Sequence, residues 1–78
     1  MFIVTNSDIM GKNIAYLRRQ HGLSREKLGQ MVDIEELELR DIENGDIYEI
    51  DSVSLSMLCE IFDLDMDAFL KTPLWNKE

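Results

Sequence analysis

The sequence predicts an all-α domain of five short helices, and three observations lead there. The chain has 78 residues, 45% of them hydrophobic, and a chain of this size buries only about 60% of its unfolded surface, so one compact core is the limit. It carries one Pro and four Gly at isolated positions, which leaves few turn signals for the many strands of a sandwich or barrel. Its apolar residues recur at three- and four-residue spacings in blocks separated by capping residues.

Ser7 or Asn6 caps a first helix running roughly from Asp8 to His21, in which Ile9, Ile14, Leu17 and the ring of Tyr16 fall near one stripe. Gly22 is a natural left-handed terminator for it. Ser24 caps a second helix, about Arg25 to Val32, with Glu26 in the first turn where it suits the helix dipole and with Leu28 and Val32 inward. Asp33, Ile34 and Glu35 make a tight turn into a third helix, which turns Leu39 and Ile42 inward and ends at Asn44 and Gly45, residues that tolerate left-handed backbone. Residues 46 to 50 read as a loop. Asp51 or Ser52 caps a fourth helix carrying Leu55, Leu58, Cys59 and Phe62, and Asp65 caps a short fifth with Met66, Phe69 and Leu70. The organisation expected is an N-terminal extension at residues 1–7, a helical domain at 8–71 and a C-terminal tail at 72–78.

Charge is distributed unevenly. Residues 33 to 51 hold nine acids, among them Glu35, Glu36, Glu38 and Asp41, against the single base Arg40, while acids and bases balance elsewhere, so the net charge of -8 resides in this stretch. The lone Cys59 excludes an internal disulfide and fits a reducing, cytoplasmic setting. The apolar opening Met1-Phe2-Ile3-Val4-Thr5 is too short for a secretory or membrane-spanning segment. No internal repeat or low-complexity stretch is visible.

From Gly22-Leu23-Ser24-Arg25-Glu26-Lys27-Leu28-Gly29, continued without a gap by Ile34, Leu39 and Ile42-Glu43-Asn44-Gly45, the chain resembles the lambda-repressor-like, Cro-like helix-turn-helix (XRE) family. The likeness extends from about Met10 to Leu70, through Gly11, Ile14, Leu17 and Arg18 upstream and Leu55, Cys59, Phe62, Leu64, Phe69 and Leu70 downstream. It implies a five-helix lambda-repressor-like domain with its helix-turn-helix at helices 2 and 3. The resemblance also implies a largely buried ion pair between Arg18 and Glu43, joining helix 1 to the end of helix 3. A buried Arg needs a planar carboxylate partner, and cutting either strands a charge at a cost of about 3 to 5 kcal/mol. The family's DNA-facing positions map onto Arg25, Glu35, Glu36, Leu37 and Asp41, and of these only Arg25 suits a phosphate or a guanine. Arg25 stands where glutamine is common, Gly29 where alanine is common, and Asp33 where the turn glycine is common.

The resemblance therefore implies a transcriptional regulator that binds double-stranded DNA. DNA affinity comes largely from Lys and Arg at phosphates, and like charge pressed against a partner opposes binding. Glu36 is able to accept from a cytosine amino group if Arg25, Lys27, Arg40, Lys12 or Arg19 anchors the backbone beside it. The alternative is a degenerate helix-turn-helix serving as an acidic protein–protein interaction module, antirepressor-like or DNA-mimic-like, in which Glu35, Glu36, Glu38 and Asp41 meet a basic protein around an exposed Leu37.

Nothing in the sequence points to an enzyme or a cofactor. His21 falls at the end of helix 1, where the dipole favours it when protonated. Cys59 lies on the apolar stripe of helix 4, the place of an inert core thiol. Asp63, Asp65 and Asp67 imitate the start of a calcium loop, but Ala68 and Leu74 occupy the places of its glycine and glutamate, so no metal site is expected. Phe2, Ile3 and Val4 at one end and Leu74 and Trp75 at the other are large apolar residues outside the five-helix pattern. They are expected to cover either their own domain or a twin in a homodimer.

Overall fold

The computed structural model describes residues 2–4, 7–47 and 49–76. Five α-helices dominate: α1 (Ser7–Gln20), α2 (Arg25–Val32), α3 (Glu36–Glu43), α4 (Ser52–Ile61) and α5 (Met66–Lys71). Two short strands, β1 (Phe2–Val4) and β2 (Glu49–Asp51), pair antiparallel, with Phe2 opposite Asp51, Ile3 opposite Ile50 and Val4 opposite Glu49. A 3-10 turn at Leu74–Asn76 ends the described chain. The class is all-α.

Local chemistry explains most boundaries. Ser24 caps α2, its hydroxyl accepting from the Lys27 N–H at 3.0 Å. The carboxylate of Asp51 caps α4 by accepting from Val53 at 3.0 Å and Ser54 at 3.4 Å, and Asp65 caps α5 by accepting from Ala68 at 3.4 Å. Asp33 closes α2 in the left-handed conformation, with φ of 59°, one of the few non-glycine residue types that adopt it readily. After α3, the left-handed turn falls to Gly45, with φ of +84°, while Asn44 stays in right-handed helical geometry. Asn6, offered above as a cap, lies outside the described residues.

Two readings of the sequence need correction. Residues 49 and 50, read as loop, join Asp51 in forming β2, because the backbone of residues 2 to 4 supplies the missing partner, while Asp51 also caps α4 as expected. Three residues are too few for a period of two to register. On α1 the buried stripe is Met10, Asn13, Ile14 and Leu17, with Ile9 only half-buried. Met10, Ile14 and Leu17 keep the spacing of four and three that stacks one helical face, whereas Ile9 lies about 100° away from Met10 around the axis.

The core gathers Met10, Ile14, Leu28, Val32, Leu39, Ile42, Leu55, Leu58 and Phe69, all without solvent exposure. α1 runs through the middle, packed against α3, α5 and the terminal 3-10 turn. Its approach to α3 is close at Gly11, where a Cβ would overlap the carbonyl oxygen of Ile42. Leu74 lies in this core, covering its own chain. Asn13, fully buried, donates to the carbonyls of Phe69 at 2.7 Å and Thr72 at 2.9 Å and accepts from the Leu74 N–H at 2.8 Å, so the segment after α5 is bound to the middle of α1. No helix among the described residues is long and apolar enough to cross a membrane.

Candidate nucleic-acid interface

α2 and α3 are joined by Asp33, Ile34 and Glu35, and the joint is tight at Gly29. A Cβ there would overlap the Ile34 carbonyl oxygen, and the Ile34 N–H donates back to the Gly29 carbonyl at 2.9 Å. Buried Leu28, Val32, Ile34, Leu39 and Ile42 hold the two helices on the core and leave the first turn of α3 facing outward.

That turn is acidic. Glu35 is the residue before α3 and makes no side-chain capping bond, while Glu36 and Glu38 stand in its first turn. Their placement at a helix N-terminus is favourable, since the exposed N–H groups and the helix dipole attract negative charge. With Glu26 and Asp33 they surround a surface hollow of about 500 Å³. Leu37 projects from the same turn and is 63% exposed. Asp41 lies one turn further on, its carboxylate 3.4 Å from the Arg40 guanidinium, in a solvent-exposed pair that neutralises the only base of the segment; such a pair contributes about 0 to 1 kcal/mol.

At the other end of α3 one carboxylate serves two arginines. Glu43 accepts from Arg18 Nε at 2.7 Å and from Arg18 Nη2 at 3.1 Å, a bidentate fork, and from Arg25 Nε at 3.0 Å. The Glu43 side chain is 2% exposed, that of Arg18 11% and that of Arg25 34%. Arg18 Nη1 also donates to the Leu23 carbonyl at 2.9 Å, so the cluster binds α1, the turn before α2, the start of α2 and the end of α3 into one unit. Two positive charges around one negative leave this corner basic. The second pair, Arg25 with Glu43, was not legible in the sequence, where Arg25 reads as a residue facing a ligand. Its Nε faces Glu43, and among the described residues its terminal nitrogens make no hydrogen bond.

The residues singled out in the sequence thus form two neighbouring patches. Glu35, Glu36, Leu37, Arg40 and Asp41 lie along the outer side of α3, while Arg25 stands apart with Arg18 and Glu43. Cys59 is a buried thiol whose pKa is pushed up, first by burial and then by the nearby Asp65 carboxylate, the reverse of what a nucleophile needs. His21 places Nδ1 2.9 Å from the Leu17 carbonyl and its ring centroid 4.9 Å from that of Phe62, contacts that hold the end of α1.

Two helices joined by a three-residue turn, the second with its first turn free and its far end bound to α1, define a helix-turn-helix domain. A family model described as helix-turn-helix matches residues 14–69, and the chain belongs to the XRE-type helix-turn-helix family. Among solved structures it is similar to the P22 c2 repressor in complex with a synthetic operator (22% identity over 81% of this chain and 94% of that one, TM-score 0.73). It is similar as well to SinR, a master regulator for biofilm formation, in complex with DNA (19% identity, 80% and 98%, TM-score 0.70). The restriction-modification controller protein C.AhdI from Aeromonas hydrophila matches at 21% identity over 81% and 94%, with a TM-score of 0.69. No curated protein sequence matches the chain.

Proposed function

We propose that this chain is a transcriptional regulator of the XRE type that binds double-stranded DNA through the start of α2 and the outer side of α3, with weak affinity for DNA of arbitrary sequence. The observation that carries the reading is Arg25. Glu43 holds its Nε at 3.0 Å, which leaves the two terminal nitrogens of a pre-oriented guanidinium for a phosphate oxygen or a guanine edge. Lys27 stands in the same turn and adds a second cation. That the similar P22 c2 repressor and SinR structures are complexes with DNA supports DNA as the ligand. The acids beside it oppose phosphate at every sequence, so only a site offering compensating base contacts, such as a cytosine amino group to Glu36, is retained.

A second reading is favoured by one observation: Leu37, 63% exposed, amid Glu35, Glu36, Glu38 and Asp41. An apolar anchor ringed by acids suits a protein with a basic surface around an apolar pocket.

Binding of a fluorescent random duplex pool at low salt, followed by selection, tests both. Retention that weakens with salt, converges on a motif and is lost in Arg25→Ala supports the DNA reading. If no duplex is retained at low salt, the DNA reading fails, and a pull-down comparing the native chain with the Glu36→Lys, Asp41→Lys variant tests the protein reading.

A further inference from the structure

A groove bordered by Glu43 has the makings of a ligand site. It lies between α1 and the terminal 3-10 turn and encloses about 640 Å³, within the range of small-molecule sites. The half-buried rings of Tyr16 and Trp75 line it beside the buried Ala15. Gln20 donates to the Tyr16 hydroxyl at 2.9 Å, which restrains that ring. Asn13 binds the backbone of Leu74, the residue before Trp75, which restrains the other. The exposed cations of the groove are Lys12 and Arg19. Lys12 Nζ sits 5.4 Å from the centre of the Trp75 ring, an attractive cation–π placement, and among the described residues neither Lys12 nor Arg19 pairs with a carboxylate. Among the described residues the one acid lining the groove is Glu43, which is already met by two arginines and so does not repel an anion.

We propose that this groove binds a small carboxylate with a planar, apolar body, the carboxylate accepting from Lys12 and Arg19 and the body stacking on Tyr16 and Trp75. The pairing follows from chemistry. A guanidinium and an ammonium at one rim select an anion, the planar fork of Arg favouring a carboxylate, and two ring faces select a flat apolar partner. In a chain with a net charge of -8, the groove sets two exposed cations, neither in a salt bridge among the described residues, beside two half-buried rings. The site does not depend on whether α3 reads DNA.

Trp75 is the only tryptophan, so its indole N–H gives a single reporter resonance in proton–nitrogen NMR spectra of the full chain. Titration with 2-naphthoate at low salt is expected to shift that resonance saturably, with weaker binding as salt rises. Lys12→Met and Arg19→Met, both at exposed positions that leave the core intact, are each expected to weaken binding roughly tenfold, and the uncharged 2-naphthamide to bind at least as much more weakly. Arg19→Lys should restore part of the affinity. The proposal is overturned by an indole resonance that does not saturate at millimolar 2-naphthoate, or by equal binding of naphthoate and naphthamide. It is likewise overturned if the Trp75 indole resonance shifts with protein concentration alone while light scattering shows a dimer, since a second copy of the chain then fills the groove.

Discussion

The side-chain oxygen of Asn13, in the middle of α1, accepts the backbone N–H of Leu74 at 2.8 Å, across 61 positions of sequence. The same amide donates to Phe69 and Thr72, so one buried side chain satisfies three backbone groups of the segment that closes the core. Asn13→Ala leaves those groups without partners, and an unsatisfied buried group costs about 1 to 3 kcal/mol. We expect urea denaturation to show a loss of roughly 2 to 4 kcal/mol, with Trp75 emission shifted to the red in the native state. Wild-type stability in this variant would show that the amide is replaceable by water.

The Glu43 cluster sets an order among three variants. Glu43→Ala removes the carboxylate from the nearly buried Arg18 and should cost about 3 to 5 kcal/mol, with Arg18→Ala close behind because it leaves the buried Glu43 with only the part-exposed Arg25. Arg25 is a third exposed, and Arg25→Ala should cost no more than about 1 kcal/mol. Thermal melts of the three proteins check the order, and an Arg25→Ala loss equal to that of Arg18→Ala would refute it.

Gly11→Ala pits helix propensity against packing. Alanine gains about 0.5 to 1 kcal/mol in a helix interior, but the new Cβ overlaps the Ile42 carbonyl, a backbone atom that side-chain rotation cannot move. Overpacking costs about 1 to 3 kcal/mol, so the net expectation is destabilisation, read from the denaturation midpoint.

Cys59 should be slow to react and should give stability a mild alkaline sensitivity. Its thiol pKa is raised in the folded state by burial and Asp65, whereas the unfolded thiol titrates near 8.5. Below that pH both states hold the proton and nothing is lost. As pH rises above it, the unfolded chain releases its proton first, so stability falls. Alkylation at pH 8 should be slower in the folded protein than in urea, and Cys59→Ala should flatten the decline of stability above about pH 8.5.

Reversing two acids on α3 should convert selective into indiscriminate DNA binding. Glu36→Lys with Asp41→Lys is expected to tighten binding to random duplex, steepening the plot of log affinity against log salt by about two, while Arg25→Ala flattens it by about one. An unchanged slope in both would place DNA elsewhere on the chain.

Much of this architecture is written locally. Ser24, Asp51 and Asp65 announce the starts of α2, α4 and α5, because a short side-chain acceptor beside free N–H groups acts within three residues. The spacing of Leu55, Leu58, Cys59 and Phe62 marks a buried face for the same reason: helical period is a property of neighbours. The acids of residues 33 to 51 are likewise local facts, whereas the pairing of Arg18 with Glu43, 25 positions apart, was implied by the family resemblance.

Other features depend on the approach of residues far apart in sequence. β2 exists because residues 2 to 4 arrive beside it, and no three-residue segment announces a partner more than forty positions away. Asn13 reads as an ordinary polar residue on α1 until Phe69, Thr72 and Leu74 reach it, and burial then makes its hydrogen bonds obligatory. Arg25 reads as a ligand-facing cation until Glu43, already held by Arg18, is seen to take it as a second partner. The groove between Lys12, Tyr16, Arg19 and Trp75 joins residues from the two ends of the chain. Sequence alone determined which helices form and where charge lies along them; packing brought distant side chains within reach of one another, and that proximity set which charges are paired and which stay available to a ligand.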